Sequence, residues 1–80
     1  MITVVINPGH GGTDPGAIGN GLREKEVTLW ISLAIANELR KYEGVNVLQT
    51  RITDTTFSLQ QITDFANHIK ANLLLSIHIN

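Results

Sequence analysis

Eighty residues, 42% hydrophobic and 16% charged, make at most one small domain of globular composition. A chain of this size buries only about 60% of the surface it exposes when unfolded, so its stability alone is marginal. A formal net charge of −1, with six Lys and Arg residues scattered along the chain, excludes a field that would recruit nucleic acid or anionic lipid, and the lack of cysteine excludes disulfides and thiolate metal sites.

Met1 to Ile6 is a continuous apolar, β-branched run that stops at Asn7-Pro8-Gly9, which predicts a buried first strand. That opening is too short and too β-branched for the apolar stretch of a signal peptide, and no run reaches the roughly 18 residues of a membrane span. The chain is therefore expected to carry no secretion signal of its own and to have no membrane partner. From Pro8 to Gly21, glycine stands at 9, 11, 12, 16, 19 and 21, with Pro15 among them. One long loop is predicted, and loops of that kind in compact domains tend to be functional.

A first helix follows, because Val27, Ile31, Ala34, Ile35, Leu39 and Tyr42 recur at three- and four-residue steps and define one face, with Gly44 as the stop. Val45 to Thr50 reads as a second strand, and the threonine-rich stretch from Arg51 to Phe57 as a loop. Ser58 opens a second helix: its hydroxyl caps the start, Gln61 reaches back, and Leu59, Ile62, Phe65, Ala66 and Ile69 form the apolar stripe. Leu73 to Ile79 is a third apolar strand. Strands alternating with helices of this length predict an α/β fold, βαβαβ with parallel strands and right-handed crossovers. In open sheets of this kind ligands bind outside the carboxyl ends of the strands, and both His10 and His78 fall on that edge.

Neutral imidazole is a common zinc ligand, so each histidine is weighed in turn. His10 lies among glycines that permit close approach to an ion; the plainer reading is a loop histidine in water. His78 closes an apolar strand where the sheet edge faces a cleft, and the plainer reading there is a ring satisfied by a backbone carbonyl. His68, off the stripe of the second helix and near its end, is a solvated residue on the helix dipole and stays outside the site. A third ligand has to be a carboxylate, and Asp14, Glu24, Glu26 and Asp54 are the candidates. Glu24 and Glu26 also suit a helix N-terminus without any metal, and spacing does not choose between them. A zinc held by two histidines and one carboxylate keeps a fourth position for water, which is a hydrolytic arrangement. A phosphate cradle is the rival meaning of the glycine loop. It fails in detail, because Asp14 stands where a dinucleotide fingerprint needs its third glycine and Ala17 where a P-loop needs its lysine.

Four blocks resemble a known family: Asn7-Pro8-Gly9-His10-Gly11-Gly12 with Asp14-Pro15-Gly16-Ala17; Arg23-Glu24-Lys25; Thr50-Arg51 with Asp54, Ser58-Leu59 and Ala66-Asn67; and Ser76-Ile77-His78 with Asn80. In order and spacing they are similar to the zinc N-acetylmuramoyl-L-alanine amidases of the type called amidase 3, found in bacterial autolysins and phage endolysins. The likeness spans nearly the whole chain. It implies that His10 and His78 bind zinc together with Glu24, and that residues 1–80 are the front part of a larger mixed-sheet zinc hydrolase domain. The implied reaction is hydrolysis of the amide between the lactyl group of N-acetylmuramic acid and the first L-alanine of the stem peptide. Peptidoglycan is then the partner, and the bacterial cell wall, extracellular or periplasmic, the place of action.

The resemblance also implies a general acid–base glutamate beyond Asn80, so this chain is expected to hold no such residue and to be inactive by itself. With a sheet edge and part of one apolar face uncovered, the piece is further expected to self-associate. The alternative from another class is a non-catalytic peptidoglycan-binding module in which zinc is a structural brace. Two departures from the family pattern stand out: Asn7 where many relatives have aspartate, and Ile62 where an arginine is usual.

Overall fold

A computed structural model describes residues 1–79. Strand β1 runs Ile2–Pro8, helix α1 Glu24–Leu39, strand β4 Val45–Gln49, helix α2 Leu59–His68 and strand β5 Leu73–Ile77. β1 lies at the centre of a three-stranded sheet of order β4-β1-β5, and both pairings are parallel. Going from β1 to β4 and then back past β1 to β5 reverses direction, so right-handed crossovers put α1 and α2 on opposite faces. That reversal opens the crevice at the carboxyl end of β1.

Alternation along β1 serves both faces, which is why the strand reads as unbroken apolar sequence. Val4 and Ile6 form a buried cluster with Val47 and with Ala36 of α1, and Ile35, Leu39, Val45, Leu75 and Ile77 pack around it. Val5, fully buried, points to the other side with its register partners Leu48 and Leu74, the face where α2 lays Ile62 and Ala66. The α2 layer is thin: Phe65 and, on the sheet face it covers, Leu74 stay exposed, so part of one apolar face is uncovered, as the sequence led one to expect.

The parallel α/β architecture and the Ser58–Gln61 capping box agree with the sequence reading. Three details of α1 and the loop before it differ. First, α1 does not bury the face that apolar periodicity selects. Its buried residues are Glu24, Thr28, Ser32 and Ala36, at steps of four, while Ile31, Ala34 and Tyr42 are exposed and only Ile35 and Leu39 of that set pack on the sheet cluster. The reason is close approach: the first half of α1 lies against the glycine loop, where Thr28 Oγ1 donates to the Gly9 carbonyl at 2.7 Å, and a long apolar side chain could not.

Second, the helix ends at Leu39. Lys41 and Tyr42 turn tightly with bonds to the Glu38 and Leu39 carbonyls, so Gly44, at φ +79, serves the turn into β4. Third, the long loop holds structure. Ile18–Gly19 (β2) and Leu22–Arg23 (β3) pair as a two-residue hairpin around Asn20 and Gly21, both left-handed. Asn-Gly at such a turn is a hairpin signal that was readable in the sequence.

Candidate metal centre

Directly after β1 the chain turns through three consecutive left-handed residues, His10 at φ +65, Gly11 at +131 and Gly12 at +57. Such a conformation is uncommon for a residue with a side chain, although histidine tolerates it better than most. The turn is clipped by paired backbone bonds between Gly11 and Asp14. It brings His10 Nε2 to 3.2 Å from Glu24 Oε2, while Nδ1 of the same ring lies 2.9 Å from Asp14 Oδ2. An ionised carboxylate only accepts, so Nδ1 donates to Asp14, and Nε2, the ring nitrogen on the Glu24 side, is the one whose lone pair a metal would take in place of a proton. Asp14, with its carboxylate, raises the His10 pKa above the ordinary imidazole value, and the charge of Glu24 adds to the effect.

Glu24 is the first residue of α1, and its side chain is 3% exposed. Each oxygen has a backbone donor: Ala17 N–H bonds Oε1 at 3.0 Å and Ile79 N–H bonds Oε2 at 2.9 Å. Those two bonds, helped by both imidazoles, hold the carboxyl below the usual range, so it is charged. Because β5 ends at Ile77 and not at Ile79 as the sequence suggested, the Ile79 N–H is free of the sheet ladder and available to Glu24.

His78 follows directly and is half-exposed. Its Nδ1 stands 3.7 Å from Glu24 Oε2, and its ring meets that of His10 edge-on, with centroids 5.2 Å apart. One ligand atom from each of His10, Glu24 and His78 lies within 4.8 Å of the others. Two imidazole nitrogens and a carboxylate oxygen, converging with one side open, suit a borderline-soft divalent ion such as zinc. Two glycines make the approach possible. A Cβ at Gly9 would meet His78 Nδ1 at 2.6 Å, and one at Gly16 would meet His10 Cδ2 at 2.7 Å and Glu24 Oε1 at 2.9 Å.

The other carboxylates proposed as ligands have separate work. Asp14 orients His10 and accepts from Gly16 N–H. Glu26 pairs with Arg23 on the exposed side of α1. Asp54 binds Lys25 Nζ at 2.8 Å and Gly12 N–H at 2.8 Å, contacts that hold its pKa below the ordinary carboxylate value. His68 sits exposed in the last turn of α2, away from the cluster. Asn80, quoted in the family pattern, lies outside the described residues.

The model of the family described as N-acetylmuramoyl-L-alanine amidase matches residues 4–80. The chain belongs to that family. It is 51% identical over 81 residues to the sporulation-specific N-acetylmuramoyl-L-alanine amidase of Bacillus subtilis (strain 168), covering 100% of this chain and 32% of that protein. Among solved structures it is similar to the N-acetylmuramoyl-L-alanine amidase from Clostridium difficile 630, with TM-score 0.96 and 40% identity over 99% of this chain and 44% of that one. The catalytic domain of CwlV from Bacillus (Paenibacillus) polymyxa var. colistinus gives TM-score 0.97 and 38% identity over 100% of this chain and 46% of that one. The chain thus spans about a third of the length of that curated relative.

Around the cluster stand Thr28, which sequence reasoning passed over, and Lys25 and Arg51, which it quoted only as parts of the family pattern without a role. Arg51, Lys25 and Thr28 all bond to backbone carbonyls of the glycine loop or of the first turn of α1. Periodicity could not single them out, since their partners are main-chain atoms and carry no sequence signal.

Proposed function

We propose that this chain carries the metal centre of a zinc-dependent amidase that hydrolyses the bond between N-acetylmuramic acid and L-alanine in peptidoglycan, with His10, Glu24 and His78 as ligands. The observation that carries the proposal is the convergence of these three side chains, from the ends of two strands and the start of a helix, to within 4.8 Å. Relatives named as amidases of this bond support the substrate, and residues 1–80 correspond to the front part of their domain. Action at the cell wall follows from the substrate.

Zinc in such a centre supplies a Lewis acid for the amide carbonyl and activation of water. The chain's own residues prepare for it. Asp14 keeps the His10 proton on Nδ1, Glu24 brings the negative charge, and its two backbone donors fix the carboxylate plane. Beside the cluster a cleft of about 210 Å³ is lined by His10, Asp14 and His78 together with Phe57, Leu59 and Ile62, room for an apolar part of the substrate next to the scissile bond. On this reading the general acid–base glutamate that the resemblance implies lies outside residues 1–80, and the 80-residue piece alone is expected to release no L-alanine amino termini from cell walls.

Diffraction at the zinc absorption edge tests the centre. Anomalous density at the three side chains is expected, and density elsewhere, or full occupancy in His78→Ala, would refute it. Release of L-alanine termini from purified walls by the full-length protein, abolished by a chelator, tests the activity. Zinc bound at the site with no release favours the brace reading, in which the module only grips the wall.

Asp14→Asn gives a subtler test. In metal-free protein the raised His10 pKa means that the pair stabilises the fold below the unfolded imidazole value, and that this is lost as pH rises through the folded value. At the acid end Asp14, held below its ordinary value mainly by His10, loses its contribution as pH falls through its own folded pKa. Thermal melts of metal-free protein should therefore show the wild type ahead of Asp14→Asn chiefly between roughly pH 4 and 6.5, the ordinary values of the two groups. With a half-exposed Asp14, zinc affinity should fall by about tenfold, the low end for partners of a metal-binding histidine.

A further inference from the structure

We propose that Arg51 is a positioning residue of the metal centre, which locks the segment bearing His10 to the segment bearing Glu24; this rests on the zinc reading above. Arg51 follows β4 and is 5% exposed. Its acceptors are backbone carbonyls of three separate stretches of chain. Nε donates to Pro8 O at 3.2 Å, Nη2 to Gly9 O at 3.0 Å and to Lys25 O at 2.9 Å, and Nη1 to Thr53 O at 3.0 Å. Gly9 immediately precedes His10, and Lys25 immediately follows Glu24. Thr28 Oγ1 completes the joint by donating to the same Gly9 carbonyl at 2.7 Å, with Arg51 Nη2 3.4 Å away.

Burying a guanidinium among carbonyls in place of a carboxylate is costly unless the fork is used in full. Here it is used across three segments at once, with charge-assisted bonds about twice as strong as neutral ones. The geometry it holds is one the chain would not keep unaided, the left-handed run His10-Gly11-Gly12. Gly11 is confined by the same joint, since a Cβ there would collide with the Thr55 carbonyl and come within 2.9 Å of Arg51 Nε. A lysine at 51 would keep the charge but gather its donors on one nitrogen, unable to span Pro8, Gly9, Lys25 and Thr53 together.

The test compares Arg51→Lys and Arg51→Ala with wild type in the full-length protein, at a temperature where circular dichroism shows each variant folded. Zinc affinity, measured by competition with a chromophoric chelator, should fall by roughly 10- to 100-fold in both. Millimolar guanidinium should restore part of it in Arg51→Ala. In metal-free protein, amide exchange of Ala17 and Ile79, the two donors to Glu24, should quicken in the variants. Wild-type zinc affinity and wild-type exchange in folded Arg51→Lys would overturn the proposal, as would a change confined to KM, which would mean that the charge meets substrate directly. If Arg51→Ala does not fold, Arg51→Lys alone decides by the same two readouts. Should the wild type bind no zinc at this site, the zinc reading fails, and the exchange rates of the metal-free proteins still decide whether Arg51 holds the Glu24 frame.

Discussion

Glu24→Gln is expected to remove zinc binding while Glu26→Gln leaves it unchanged, although the two glutamates lie two residues apart on the same helix. Glu24 points both oxygens inward, onto Ala17 N–H and Ile79 N–H, and its Oε2 faces both imidazoles. An amide in its place offers one acceptor and one donor to a position built from two donors, so one N–H group must confront another. It also removes the only negative charge of the ligand set. Loss of a direct ligand should exceed the roughly 10- to 100-fold typical of residues one step further from a metal. Glu26, by contrast, is partly exposed and paired with Arg23, an interaction of small worth. Isothermal titration with zinc distinguishes the two, and equal affinities would refute the assignment of Glu24.

Gly16→Ala is expected to be nearly as damaging, and Gly19→Ala harmless. The methyl group at 16 would stand 2.7 Å from His10 Cδ2 and 2.8 Å from Glu24 Cβ, at a backbone φ of +70 that already disfavours a side chain. His10 and Glu24 would have to separate, and separation by a few tenths of an ångström is enough to spoil a preorganised site. At Gly19 a Cβ meets nothing within 4 Å. Zinc affinity and chelator-sensitive release of L-alanine termini by the full-length protein should both drop by at least about tenfold in Gly16→Ala, on the scale of lost support around a metal. An unchanged Gly16→Ala would mean that the glycine loop is looser than this packing requires.

The two departures from the family pattern take on physical content in the fold. Asn7, buried in β1, accepts from Thr50 Oγ1 at 2.7 Å and donates to Ser76 Oγ at 3.2 Å, tying β4, β1 and β5 together at their carboxyl ends. An amide suits that position, since it needs one acceptor and one donor. Ile62 is buried on the inner face of α2 and forms part of the apolar wall of the cleft beside the cluster. The sequence showed that these residues differ but not what they touch.

Parallel α/β order, the buried first strand and the arrival of His10 and His78 at one sheet edge were all legible from local pattern. Strand and helix periods are short-range properties, and the crossover rule converts their order into topology. Choosing Glu24 over Glu26 was not legible from spacing, because both suit a helix N-terminus, and only the resemblance separated them. The tertiary structure decides the rest: which face α1 buries, that Asp14 orients His10, and that Arg51 joins the two ligand-bearing segments. Each of these depends on where backbone carbonyls and N–H groups from distant stretches meet. Every residue carries the same main-chain groups, so a one-dimensional string holds no mark of which will be left to pair with a side chain.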